Sequence, residues 1–237
     1  ESTDSDPFLT IFSHDCFDIK TKNVSKINRK KLKVNIDSSP FKNLGCNIIQ
    51  EVAYTLGIGN EYLNSYGKKI ASLISFELGQ GSNYFFEIAK IQVVRRLWHL
   101  ITSNYGGAFW YSAMRDYNNN IIRTTSECIS GILGGSDYIK SQAYDYLFKD
   151  KNDYSENLML KQLLIIKQET NIDKVDNICE GSYYINYLID NIMKESFDLF
   201  KKIEKDGVFF KIFSSGAISR EIEKNNKKEV RLYKSKN

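Results

Sequence analysis

Residues 70–101 read IASLISFELGQGSNYFFEIAKIQVVRRLWHLI, and this stretch decides the fold that the sequence predicts. Its first part, residues 70–78, is mainly apolar, which is typical of a buried strand. The turn Gly79-Gln80-Gly81-Ser82 closes that strand, and Ser82 is a plausible N-cap for the next element. From residue 85 to residue 101, apolar side chains recur at helical spacing. The stretch therefore predicts one strand–turn–helix unit.

The same order of elements occurs upstream. Residues 32–36 alternate apolar and polar side chains, which predicts a short strand, and the turn over residues 37–40 ends it. Apolar side chains at helical spacing over residues 48–63 then predict a long helix. Two strand–helix units in succession indicate a parallel sheet whose connections are helical.

Downstream the pattern is weaker. The predicted elements are a weak strand over 108–114, a helix over 119–133 stopped by Gly134 and Gly135, a poor fourth strand over 138–143, a helix capped by Ser155, a helix starting near Gly181, and short charged helices over 207–237. We count about four strand–helix units, which is half of an eight-unit barrel. The predicted domains are an irregular lead-in over 1–31, a partial barrel over 32–206 and a charged helical tail over 207–237.

The composition indicates a globular protein. Of 237 residues, 42% are hydrophobic and 26% are charged, and the net charge is +4. The four cysteines form no C-x-x-C pair, which predicts a reducing, cytoplasmic location. No stretch reaches the ~20 apolar residues that a membrane helix needs, and the polar N-terminus does not resemble a signal peptide. We therefore expect no membrane partner.

Positive charge gathers at the two ends of the chain, over residues 20–33 and 224–236. Such clusters are usually solvated, so we expect no nucleic-acid partner, although a basic edge is also compatible with an anionic cofactor. With only His14 and His99 present, a histidine-based metal site is nearly excluded. Phosphate-loop, dinucleotide-loop and nucleophile-triad signatures are also missing.

Four segments together resemble the acyl-CoA mutase domain of the methylmalonyl-CoA mutase family. In chain order they are QEVAY at 50–54, QGSNYFFEIAK at 80–90 with RRLW at 95–98, NIIRTTSE at 120–127 with GG at 134–135, and ET at 169–170 with GSYY at 181–184. Each segment alone is a weak signal, but four in register are specific. The resemblance is greatest to the non-catalytic small (beta) subunit of bacterial two-subunit enzymes.

The resemblance implies a fold and a reaction. The family fold is a (β/α)8 TIM-type barrel that binds an acyl-CoA along its axis, followed by a separate cobalamin-binding domain. The predicted fold class is therefore α/β, namely the C-terminal half of such a barrel with about four βα units plus C-terminal helices. The implied reaction is the adenosylcobalamin-dependent isomerisation of methylmalonyl-CoA and succinyl-CoA, in which the protein holds and shields a radical.

The chain departs from the catalytic members of the family at several positions. Their Tyr-His pair falls on Ser39, which has no ring, and on Pro40, which offers no side-chain donor. Their His-x-Gln segment falls on residues 106–111, which contain no histidine, and an acidic residue that contacts the corrin falls on Tyr146. The cobalamin domain's Asp-x-His-x-x-Gly signature is absent from the sequence. We therefore predict no catalytic, cofactor-binding or metal-binding residue.

Three hypotheses about function follow. The first is a non-catalytic component whose partner, a catalytic large subunit or a second copy of the chain, holds the adenosylcobalamin. The second is an active acyl-CoA mutase fragment completed by another chain, and the third is a degenerate fragment without a partner. If an acyl-CoA still binds, the candidate residues are Ser39, Gln80 and Asn83, because barrel sites form at the carboxyl ends of strands.

Overall fold

A computed structural model describes the chain over residues 17–18, 23–24, 34–103, 107–112, 119–207 and 209–234, with side chains from 34 to 103, 119 to 207 and 209 to 227. The strands are β1 (Phe17–Asp18), β2 (Asn23–Val24), β3 (Val34–Asp37), β4 (Ile74–Gln80) and β5 (Gly107–Ser112). The helices are α1 (Ser39–Asn43), α2 (Ile48–Tyr66), α3 (Tyr84–Thr102), α4 (Asn120–Leu133), α5 (Asp153–Glu169), α6 (Tyr183–Gly207), α7 (Phe209–Ser214) and α8 (Ala217–Lys234), with short 3-10 helices at Lys68–Leu73 and Ile172–Lys174.

Strands β3, β4 and β5 form a parallel sheet in that order, which confirms the predicted α/β class and the parallel connections. Helix α2 connects β3 to β4, and helix α3 connects β4 to β5. Strands β1 and β2 form a separate antiparallel pair. The described residues thus hold two complete strand–helix–strand units.

The core lies between one face of the sheet and helices α2 and α3. Phe76 of β4 contacts the Trp98 ring of α3 edge-on, with ring centroids 4.9 Å apart. Gly59 of α2 lets this ring approach, because a β-carbon there would lie 2.7 Å from Trp98 Cζ3. Helix α6 covers α2 and α3 from outside and buries a stripe of apolar side chains that includes Ile189. Sheet, inner helices and outer helix therefore form three layers.

The last two helices join the same core. Phe209 of α7 is fully buried and contacts the rings of Phe41 and Tyr54. Phe213 of α7 and Ile222 of α8 are also buried in this cluster. The predicted domain boundaries at residues 31 and 206 remain predictions.

The predicted fourth strand over residues 138–143 does not form, although Lys140 makes one isolated β-bridge. Arg95 of α3 explains where the chain goes instead, since its Nη2 donates to the Gly135 carbonyl oxygen at 2.6 Å and lies 2.5 Å from the Asp137 carboxylate. Ile139 then packs beside Cys128 of α4. These contacts hold the segment on the helices, and Lys140 alone in it takes part in a β-bridge.

Two predicted N-caps and one strand boundary are also wrong. Helix α3 begins after Asn83 rather than Ser82. Helix α5 begins after Asn152, whose side chain accepts a hydrogen bond from the Ser155 amide at 2.9 Å, so Ser155 lies inside the helix. Strand β4 begins at Ile74, because the residues before it form a 3-10 helix. Among the described helices, none is long and apolar enough to span a membrane.

Candidate functional site

The sheet has two chemically different faces. Ile36, Phe76 and Leu78 are buried against the helices. The alternate positions carry polar side chains, which lie on the opposite face because strand side chains alternate. These polar residues are Asn35 and Asp37 of β3 and Ser75 and Glu77 of β4.

The polar face is internally hydrogen bonded. The strand register sets Asn35 beside Ser75 and Asp37 beside Glu77. Asn35 Nδ2 donates to Glu77 Oε2 at 2.8 Å, and Ser75 Oγ donates to Asn35 Oδ1 at 3.3 Å. Because Asn35 is exposed, these carbonyl, hydroxyl and carboxylate groups form a surface that can hydrogen bond an amide or hydroxyl of a ligand.

The turn after β3 is tightly bound to β4. The Ser38 amide and hydroxyl both donate to the Glu77 carbonyl oxygen at 2.8 Å. The Ser39 amide donates to Asp37 Oδ1 at 2.8 Å, and Pro40 follows in the first turn of α1. Proline is favoured in a first helical turn, where its missing N–H costs nothing. Ser39 and Pro40, on which the resemblance places the family's Tyr-His pair, therefore form the first turn of a short helix.

Behind this turn lies a buried cluster of two lysines and two glutamates. Lys90 Nζ lies within 3.1 Å of both Glu51 carboxylate oxygens and 2.5 Å from Glu87 Oε2, and it donates to the Gly79 carbonyl oxygen. Lys42 Nζ binds Glu87 Oε1 at 3.0 Å. Glu51, Glu87 and Lys90 are fully buried, whereas the Lys42 side chain is 18% exposed.

The charges of the cluster balance, which explains how they can be buried. Burial raises the pKa of Glu51, and the ion pair with Lys90 only partly offsets this. Burial would also raise the pKa of Glu87, but Lys90 and Lys42 together outweigh it and hold that pKa below its usual value. The Gly79 amide also donates to Glu51 Oε1 at 3.1 Å. The cluster therefore fixes the end of β4 to α2 and α3.

The three predicted ligand residues have different environments. Ser39 is buried beside Gly79, since a β-carbon on Gly79 would lie 3.4 Å from Ser39 Cα. Gln80 is buried against α4, where its Nε2 donates to Ser130 Oγ at 2.7 Å. Asn83 is exposed before α3 and makes no side-chain cap bond. Only Ser39 lies at the turn that borders the polar face.

A separate concave region does not contain these residues. A cavity of about 520 Å³ lies between the middle of α3, the end of α4 and the segment at 172–177. Its lining includes Arg95, Arg96, Asp173 and Asp176. The cavity lies among the helices, whereas the resemblance implies an acyl-CoA site at the carboxyl ends of the strands. Its size alone therefore does not identify it as that site.

Two described residues bear on the cobalamin that the resemblance implies. His99 lies near the C-terminal end of α3, about 22 Å along the helix from its start beside the strand end. Tyr146, at the position of the corrin-contacting acid, is 59% exposed and offers no carboxylate. Tyr146 therefore cannot supply the carboxylate that the resemblance assigns to its position.

Sequence reasoning missed the buried charged cluster. Helical periodicity places Glu87 and Lys90 on the polar face of the helix over residues 85–101, whereas the structure buries both fully. The available signal was the spacing: Glu87 and Lys90 are three residues apart, and both lie between apolar residues that face the core. A charged pair on a core-facing stripe needs a buried partner, and Glu51 provides it.

Comparisons with known proteins agree with the resemblance. A family model described as methylmalonyl-CoA mutase matches residues 7–237. The methylmalonyl-CoA mutase small subunit of Porphyromonas gingivalis is 32% identical over 214 residues, which cover 81% of this chain and 35% of that protein. The methylmalonyl-CoA mutase of Escherichia coli is 29% identical over 219 residues, which cover 84% of this chain and 31% of that protein. The chain thus spans about a third of the length of these relatives.

Proposed function

Because the chain belongs to the methylmalonyl-CoA mutase family, we propose that it acts as a non-catalytic, small-subunit-like component of a mutase whose partner chain does the chemistry. The observation that carries this proposal is the turn after β3. At the positions of the family's Tyr-His pair, Ser39 is buried and Pro40 begins a helix. Ser39 has no aromatic ring to stack on a cofactor, and Pro40 has no side-chain donor for a thioester carbonyl.

In this proposal the retained ionic cluster has a structural role. It holds β4, α2 and α3 in the arrangement of a partial (β/α)8 barrel without contributing a reacting group. Lys90 has no exposed surface, and its ammonium is already surrounded by two carboxylates and a carbonyl oxygen. A lysine with every donor used cannot bind substrate unless the cluster is broken.

The proposed partner is a catalytic large subunit, with a second copy of the chain as the other possibility. The small-subunit relative supports this choice by its name. The surface supports it too, because α5 buries only Ser155 and Ile166 and exposes Leu160, Leu164 and Ile165. A helix with an uncovered apolar stripe gains stability from a partner that covers it.

Copurification tests the partner. We expect a tagged version of this chain, coexpressed with the large subunit of a two-subunit mutase, to retain that subunit through affinity and size-exclusion steps. Replacing Leu160 and Leu164 by glutamate should weaken association about tenfold or more, because a buried charge would face an apolar surface. Lys161→Glu, on the same helix, is the matched control and should leave association nearly unchanged. A large subunit that never copurifies would contradict the proposal.

One observation favours the alternative, an acyl-CoA mutase fragment completed by another chain. The polar face of the sheet would line part of a barrel axis if further strands continued the sheet at its edges. In that case Glu77→Gln and Asn35→Ala would lower the adenosylcobalamin-dependent conversion of methylmalonyl-CoA by the complex. In the non-catalytic proposal, these substitutions leave that activity unchanged while the complex remains intact.

The cofactor and location follow from the same proposal. Adenosylcobalamin would be held by the partner, since the described residues of this chain offer no fitting axial ligand. A cytoplasmic location is proposed on the low cysteine content. Cys46, Cys128 and Cys179 are free thiols, as a reducing compartment would leave them.

A further inference from the structure

Two carboxyl groups hold the junction between α6 and α7 against α2. Glu61 Oε1 accepts a hydrogen bond from the Phe210 amide, in the first turn of α7, at 2.8 Å. Glu204 Oε2, near the end of α6, accepts one from Asn60 Nδ2 at 2.7 Å. Asn60 and Glu61 are neighbours on α2, so the two bonds bring both carboxyl groups to the same junction.

The carboxyl groups of Glu61 and Glu204 lack the neutralising lysines that the charged cluster has. Among the described residues, none of the ion pairs includes Glu61 or Glu204. Glu204 Oε1 is buried and finds no hydrogen-bond partner in the part of the chain that the structure describes. A buried carboxylate oxygen without a donor is unfavourable, because water no longer solvates it.

Other charged groups on these helices do not neutralise Glu61 or Glu204. Lys201 of α6 pairs with Asp198 of the same helix at 2.7 Å, and Lys211 of α7 forms no ion pair with either carboxyl group. Glu221 of α8 interacts with Tyr54 and is itself negatively charged, so it cannot neutralise the pair. The donors that reach the pair are thus the Asn60 amide and the backbone N–H of residue 210.

We propose that Glu61 and Glu204 share one proton and form a pH-sensitive latch that fastens α7 to α2. With a proton on Oε1, Glu204 becomes a donor and can bond the Glu61 carboxylate. The proton comes from solvent and returns to it when the latch opens, so no other reactant is needed. When both groups are ionised, two negative charges meet at a buried junction and weaken the attachment of α7.

Electrostatics support this arrangement independently. Burial raises the pKa of Glu61, although the Phe210 amide partly opposes it. Burial also raises the pKa of Glu204, and the charge of Glu61 raises it further. Two neighbouring carboxyl groups with raised pKa values are expected to titrate as a pair.

The sign of the pH effect follows from linkage. A carboxyl whose pKa in the folded protein is above its ordinary 4.5 binds a proton more tightly when folded than when unfolded. Its contribution to stability is present at low pH and is lost as the pH rises through the raised pKa. For one proton, the unfolding equilibrium constant changes by up to about tenfold per pH unit in that window.

The test compares the whole chain with Glu204→Gln between pH 5 and pH 8. The glutamine keeps an N–H donor at every pH, so we expect the wild type to lose stability with rising pH relative to this variant, by up to about tenfold in the unfolding constant per pH unit. Glu195→Gln, an exposed carboxyl on the same helix, is the control and should follow the wild type. Parallel pH profiles for the wild type and Glu204→Gln would overturn the proposal.

Hydrogen exchange at Phe210 gives a second, local measurement. The latch predicts that the protection factor of this amide falls as the pH rises from 5 to 8 in the wild type. Glu61→Gln should remove that dependence while keeping a side-chain oxygen for the amide. A protection factor that is independent of pH in the wild type would overturn the proposal even if Glu204→Gln fails to fold.

Discussion

Replacing Lys90 by methionine is expected to lower the free energy of unfolding by about 3–5 kcal/mol. The substitution nearly preserves side-chain length but leaves Glu51 and Glu87 buried without the ammonium that lies within 3.0 Å of each. Lys42 binds Glu87 at 3.0 Å, whereas Glu51 would keep the hydrogen bond from the Gly79 amide. Equilibrium denaturation at neutral pH measures the loss.

Two further variants separate the missing charge from the missing packing. Lys161→Met removes an exposed lysine from α5 and should change stability by less than about 0.5 kcal/mol. Adding Glu51→Gln to Lys90→Met removes one of the stranded charges and should recover part of the loss. If Lys90→Met cost no more than Lys161→Met, the charged cluster would not hold the fold together.

Trp98→Ala is the second large effect, with an expected loss of about 3–5 kcal/mol in the free energy of unfolding. Trp98 is fully buried between β4 and α2, so its removal opens a cavity in the centre of the three layers. The neighbouring His99 is exposed, and His99→Ala is a matched control with an expected change below about 0.5 kcal/mol.

Gly59 provides a sharper test of the same contact. Gly59→Ala alone should cost about 1–3 kcal/mol, because its β-carbon would lie 2.7 Å from Trp98 Cζ3. Combined with Trp98→Ala, the same β-carbon enters vacated space, so the added cost should be much smaller. Additive losses in the double variant would mean that these two residues do not form the close contact between α2 and α3.

The sequence predicted the elements with strong periodicity. Strand β4 and helix α3 fall in the region of residues 70–102, where an apolar run and then helical spacing are clear, and α2 and α6 also have regular apolar stripes. The parallel order of the sheet followed from the alternation of these strands and helices. The stop of α4 at Gly134-Gly135 was also correct, since Gly135 has a φ of 83°.

The wrong predictions have a common physical cause. Where the local sequence allowed two structures of similar energy, tertiary contacts determined which one formed. Residues 138–143 have strand-like composition, but the Arg95 contacts at Gly135 and Asp137 direct the chain along the helices. Ser82 and Ser155 are good capping residues, yet Asn83 and Asn152 precede the helices. A sequence pattern cannot show which of two nearby Ser or Asn residues caps the helix, because their intrinsic preferences for the N-cap position are nearly equal.

The candidate site, too, was predicted only in part. Ser39 and Pro40 were matched to the family's Tyr-His pair by motif position, and that match stays a prediction. Gln80 was selected because it ends a strand, but strand alternation directs its side chain to Ser130 on the helical side. Applying that alternation from Phe76 would have shown that Gln80 does not face the polar side.

The central claim is that this chain belongs to a mutase but does not hold its cofactor. The most direct measurement is calorimetric titration of the purified chain with adenosylcobalamin, followed by the same titration of its complex with a large subunit. We predict no binding heat for the chain alone and saturable binding for the complex. Micromolar binding of adenosylcobalamin by the chain alone would contradict the claim and would require it to be assayed as a catalytic component.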